Sequence, residues 1–192
     1  MPLLDEARTG KRKVYFVDAA HFVMAPFLGH LWSFARIFIK APSGRNRFNV
    51  LGALDAITKE LIIVTNEFYI NAESIIQLLS QLANKWPDPS IPITLVLDNA
   101  RYQKCKVVEA EAELLDIELL YLPAYSPNLN LIERLWKFVK KTCLYSEYYD
   151  TFDAFKKAIS NCLEKVNTEY KVQLESFLSL KFQTFKKSQF IT

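Results

Sequence analysis

The sequence predicts an α/β protein: a mixed β-sheet, part antiparallel meander and part parallel, with helices on both faces. Three observations predict it. Apolar, strand-like runs joined by short turns come first, between residues 14 and 65. From residue 71 to residue 166, segments with helical spacing then alternate with short strands, the order that parallel crossovers produce. Finally, the continuous apolar run Ile93-Thr94-Leu95-Val96-Leu97 reads as a strand buried on both faces. It runs straight into Asp98-Asn99, so an acid falls at the C-terminal mouth of the strand, where open α/β sheets place their ligands.

The chain has 192 residues, 51% hydrophobic and 23% charged, which fits one folded domain with a sizeable core. Residues 1–12 read as a loose lead-in. Residues 14–18, Val14-Tyr15-Phe16-Val17-Asp18, form a first strand that also ends in an acid. Residues 19–31 are apolar but aperiodic and broken by Pro26 and Gly29, so they read as a packed loop. Strands follow at 32–40, 48–54 and 60–65, joined by the turn Pro42-Ser43-Gly44-Arg45 and the tight connection 55–59. These three make the antiparallel meander.

Asn71 can cap a helix whose apolar positions are Ile75, Ile76, Leu78, Leu79, Leu82 and Ala83, ended by Trp86-Pro87. A helix over about 103–115 buries Val108, Ala112 and Leu115, and residues 117–122 are the next strand. After the Pro-bounded loop 121–130, a helix over about 129–142 buries Ile132, Leu135, Trp136 and Val139. Thr151 or Asp153 caps a last strong helix with Phe155, Ala158, Ile159, Cys162, Leu163 and Val166 on one face. Residues 174–192 alternate aromatics with lysines and fit no element. There are no internal repeats. The domain reading is a lead-in over 1–12, a catalytic domain over 13–167 and a basic, aromatic extension over 168–192.

Several function classes are excluded. The three cysteines, Cys105, Cys143 and Cys162, form no C-x-x-C pair, so they read as free thiols of a reducing compartment. His21 and His30 have no metal-ligand spacing, which argues against zinc. Four glycines and no phosphate-cradling loop argue against a nucleotide-binding enzyme. The N-terminus lacks the blocks of a signal peptide and no apolar run reaches spanning length, so the expected location is cytoplasmic, with no membrane partner.

Asp18 and Asp98 each end a strongly apolar strand, and Glu133 follows the turn-rich loop. Aspartates on neighbouring strands stand roughly 5 Å apart. Carboxylates that close stay ionised together only around a cation, and magnesium suits oxygen ligands. A third carboxylate completes a two-ion site for in-line attack on a phosphodiester. Each acid has a bland alternative. An aspartate after a strand is commonly a cap or turn residue, and Glu133 with Lys137 is an i,i+4 pair of the kind found on solvated helix faces. Residues 134–192 hold 11 Lys/Arg against 6 Asp/Glu, while residues 1–133 hold 13 against 15, so the basic surplus lies after the third acid. Lys137, Lys140 and Lys141 share the Glu133 face. Helix solubility and a phosphate clamp both fit them.

Asp98 and Glu133 have 34 residues between them. With Leu95-Val96-Leu97-Asp98-Asn99-Ala100 and the stretch Leu122-Pro123-Ala124-Tyr125-Ser126-Pro127-Asn128-Leu129-Asn130-Leu131-Ile132-Glu133-Arg134-Leu135-Trp136, this resembles the signature of DDE transposases. The resemblance is to the mariner-type superfamily, nearest the bacterial insertion-sequence 630 family, and covers residue 13 to about 165. It implies a ribonuclease-H-like fold and a triad of Asp18, Asp98 and Glu133 holding two Mg²⁺ or Mn²⁺ ions. Asp18 would bridge both ions, and Asp98 and Glu133 would each hold one. The implied partners are DNA, as transposon ends and target, and further copies of the chain. The implied chemistry is strand cleavage at the ends and transfer of the 3′-hydroxyl. Relatives carry a histidine a few residues after the second aspartate, where this chain has Asn99-Ala100-Arg101-Tyr102-Gln103-Lys104. They also carry N-terminal helix-turn-helix units, expected here as a separate or missing part. DNA contacts are expected from Lys137, Lys140, Lys141, Lys181, Lys186 and Lys187. Two alternatives stay open: a remnant that only binds DNA or assembles, and a nuclease on the same fold.

Overall fold

Strand β1, Lys13–Val23, is the spine of the sheet, pairing antiparallel with β2, Arg47–Asp55, and parallel with β4, Ile93–Leu97. The structure, a computed structural model, describes residues 2–24, 46–123, 126–145 and 147–180. β3, Leu61–Asn66, adds antiparallel to β2, and β5, Ile117–Tyr121, adds parallel to β4. The order is β3-β2-β1-β4-β5, a mixed sheet flanked by helices, as in ribonuclease-H-like proteins.

Alternation along the strands divides the sheet into two faces. Tyr15, Val17, Leu51, Ala53, Leu95 and Leu97 face α2, Ala72–Lys85, and α3, Lys106–Leu114. The side chain of Asn71 accepts from Ser74 N and caps α2, as its position predicts. Phe16, Phe22, Val50 and Leu54 face the other side. There α1, Pro2–Arg8, α4, Ile132–Cys143, α5, Phe152–Val166, and α6, Lys171–Phe177, close a second core. Thr151, and not Asp153, caps α5, accepting from Ala154 N.

Several sequence expectations need correction. Residues 2–8 are a helix, held because Leu4 and Ala7 are buried under the sheet. The first strand does not stop at Asp18: Phe22 is buried, Phe22 pairs with Phe48, and the strand runs to Val23, so the apolar stretch after Asp18 is partly ladder. The meander among the described residues is therefore β1-β2-β3. The strand expected at 32–40, His30 and the lysines of the tail lie outside the described residues. α3 starts at Lys106 because residues 98–105 form a loop, and α4 starts at Ile132 after a 3-10 turn, Pro127–Leu129. Within 174–180, which fitted no element, the end of α6 buries Leu174.

Candidate active site

The parallel register brings two acids side by side. Lys13 pairs with Ile93 through to Phe16 with Val96. Carried two residues on, the same offset sets Asp18 beside Asp98, on strands about 4.8 Å apart. Asp18 falls on the parity of Phe16, on the face that α4 covers. Asp18 thus sits within a continuing strand, while Asp98 sits just past the end of β4.

Glu133 lies in the first turn of α4, and two features bring that helix onto the acids. Gly52 pairs with Asp18, and a Cβ there would stand 2.8 Å from Trp136 Cη2 and 2.9 Å from Ile132 Cδ1. Glycine is the residue that lets the helix settle on the strand. Asn130, buried just before α4, donates from Nδ2 to Val17 O at 3.0 Å and ties the loop to the residue before Asp18. Trp136 Nε1 then donates to Asp18 Oδ2 at 3.1 Å.

The electrostatics report the convergence. The Asp18 carboxyl is pushed up from its ordinary 3.8 to about 7, first by burial, then by the charge of Glu133, with Asp98 adding to it. Hydrogen bonds from the Ala19 backbone and from Trp136 only partly offset this. Tyr102 is half-buried near the same charges, and its phenol rises to about 12 through burial, Asp98 and Asp18. Asp98 accepts from Ala100 N at 3.1 Å, which is turn geometry, but it caps no helix, since α3 has Cys105 at that position. Among the described residues Glu133 forms no ion pair with Lys137, so the simple surface-pair alternative is not realised. Lys137 and Lys141 are exposed and Lys140 is half-buried on α4.

Tyr102, Asn130 and Gly52 were not singled out from sequence, and Trp136 was read as core alone. The one signal available was Gly52, since a glycine inside a strand marks a close approach of another backbone or side chain.

The donors suit a hard divalent cation in kind: carboxylate oxygens, partly buried, repelling one another. The buried Asn130 Oδ1 also has no partner among the described residues. As they stand, no three His, Cys, Asp or Glu side chains among the described residues are grouped closely enough to hold one ion.

Among solved structures, the chain is similar to the Mos1 transposase in a pre-cleavage transpososome. That match has a TM-score of 0.62 and 15% identity over 96% of this chain and 60% of that one. It is similar to the mariner Mos1 paired-end complex with Mg, with a TM-score of 0.57 and 15% identity over 87% of this chain and 56% of that one. It is also similar to the Mos1 transposase catalytic domain with Raltegravir and Mn, with a TM-score of 0.54 and 15% identity over 96% and 90%. These likenesses establish the fold. The chain spans about 60% of the longer transposase chains it resembles. No curated protein matches the sequence. Residues 13–156 match the DDE superfamily endonuclease family, to which this chain belongs.

Proposed function

We propose that the chain is the catalytic part of a DNA transposase of the mariner-type superfamily, of the bacterial insertion-sequence 630 kind. It cleaves DNA strands at transposon ends and joins the freed 3′-hydroxyl to target DNA. The observation that carries this reading is that the charges of both Glu133 and Asp98 act on the half-buried Asp18 carboxyl, beyond the end of the parallel β1–β4 ladder. In this reading Asp18, Asp98 and Glu133 would together hold two Mg²⁺ or Mn²⁺ ions. The chemistry such a metal pair would supply there is activation of an attacking oxygen and charge stabilisation in phosphodiester displacement.

The chain's own residues do the positioning. Trp136 holds one oxygen of Asp18, the Ala100 amide holds one of Asp98, and Asn130 fixes the loop that aims Glu133. Lys137, Lys140 and Lys141 contact phosphates. Residues 13–167 form the catalytic unit, and 168–192 extend it. Self-association and a separate helix-turn-helix part complete the working complex, in the bacterial cytoplasm. Among the described residues no helix is long and apolar enough to cross a membrane.

The test is strand cleavage and strand transfer on DNA carrying transposon ends, with Mg²⁺ or Mn²⁺ and with EDTA. Glu133→Gln should lower both activities by more than about a hundredfold, the scale of losing an electrostatic contact made in the transition state, while the protein stays folded. Cleavage that survives EDTA or Glu133→Gln would contradict the reading.

A further inference from the structure

The turn after β3 presents two adjacent aromatic side chains to solvent: Phe68 is 79% exposed and Tyr69 is 74% exposed. The turn beneath them is firmly built. Asn49, fully buried on β2, donates from Nδ2 to Phe68 O at 3.1 Å and to Asn66 Oδ1 at 3.0 Å. Asn66 donates from Nδ2 to Tyr69 O at 2.9 Å and accepts from Phe68 N at 3.1 Å. Asn49 Oδ1 lies 2.7 Å from His21 Nδ1. Ile70 is buried behind the pair, and Asn71 caps α2. A buried amide network therefore holds two rings in water, where they gain nothing from burial.

Beside the rings lies an open cavity of about 510 Å³, walled by Asn46, Arg47, Glu67, Phe68, Tyr69 and Phe152. A site of that size takes a group as large as a nucleotide. Glu67 is engaged by Lys156 at 2.7 Å, so its charge is offset, and Arg47 brings an exposed cation to the wall. Arg47 pairs with Val23, five residues beyond Asp18 on β1. At about 3.3 Å per residue that is roughly 17 Å along the strand from Asp18.

We propose that Phe68, Tyr69 and Arg47 form a binding site for an unpaired nucleobase and its phosphate, roughly 17 Å from Asp18 along β1. Aromatic rings stack on any base, and the guanidinium meets the backbone. This rests on the reading of the chain as a DNA-cutting enzyme. A second copy of the chain is the other candidate occupant. The charged, half-polar wall favours nucleic acid, because the core of a protein–protein interface is depleted of charge.

The test uses the full chain without metal, titrated by fluorescence anisotropy against a short single-stranded oligonucleotide and the matching duplex. The double variant Phe68→Ala, Tyr69→Ala should bind the single strand about tenfold more weakly or worse and the duplex as wild type does. Tyr69→Phe should restore stacking when introduced in place of Tyr69→Ala. Arg47→Gln should lower the salt slope of single-strand binding by about one. Both rings are exposed, so unchanged thermal melting checks that the variants fold. Equal single-strand affinity in wild type and the double variant overturns the proposal. If that equality comes with a loss of self-association, the patch is a protein interface instead. Metal-dependent cleavage by wild type in either case leaves the enzymatic reading standing and removes only the stacking site.

Discussion

The two ends of the parallel strands handle charge in opposite ways. At the N-terminal end, Arg12 donates from Nε to Glu6 at 2.7 Å, and from Nη1 to Glu118 at 2.6 Å and to Thr94 Oγ1 at 2.7 Å. Both acids there have a cation from the chain itself. At the C-terminal end lie Asp18, Asp98 and Glu133, and among the described residues no lysine or arginine pairs with any of them. The strands are the same, so the difference is not one of scaffold. Where the charges serve the fold, the sequence supplies the counter-ion. Where it supplies none, the Asp18 carboxyl is held well above its ordinary range by burial and by the neighbouring charges.

Removing charge should therefore act with opposite sign at the two ends. The largest effect is expected for Asp18→Asn. The folded carboxyl titrates at about 7 against an ordinary 3.8, so the folded state holds the proton more tightly than the unfolded one. Between those values, stability falls as pH rises, and above pH 7 the whole penalty is present. Asp18→Asn should stabilise the metal-free protein by on the order of 2–4 kcal/mol above pH 7, with the gain vanishing near pH 4. Denaturant melts in EDTA across that range measure it. A loss of stability at high pH would mean that Asp18 is a structural partner and not a strained ligand.

Gly52→Ala comes next. The new methyl must displace Trp136 or Ile132, at about 1–3 kcal/mol for overpacking, and it lifts α4 from Asp18. Cleavage should fall further than the folded fraction accounts for, which combined melting and activity measurements separate. The smallest effect belongs to Arg12→Met. Its partners are partly exposed, so breaking the pairs should destabilise by about 1 kcal/mol and leave activity per folded molecule intact.

Much of the comparison was legible in the sequence because it rests on periodicity. The helix faces of α2, α4 and α5, the Asn71 cap and the buried β4 follow from apolar spacing, and the structure has them. The tight connection expected over 55–59 is there, with Asp55 accepting from Ile57 N and Thr58 N at 2.7 Å each. The acids were legible as strand-end residues and, through the family resemblance, as a triad, whereas the β1–β4 register that sets Asp18 relative to Asp98 is encoded in no local pattern. The extent of β1 was hidden because residues 19–23 combine small, polar and aromatic side chains: Phe22 faces the core while His21 reaches across to Asn49. Helix α1 was missed because its two buried residues, Leu4 and Ala7, are too few for periodicity to register.

The most direct test of the central claim, that these three acids share one cation site, is thermal melting with and without Mn²⁺ above pH 7. A ligand at a hundred times its dissociation constant stabilises by about 2.7 kcal/mol, which for a chain of this size is a rise of roughly 5–10 °C. Wild type should show that rise, and Asp98→Asn and Glu133→Gln should each lose most of it while melting no lower than wild type in EDTA. A rise that persists undiminished in either variant would contradict the account, because the ion would then be held somewhere other than between these carboxylates.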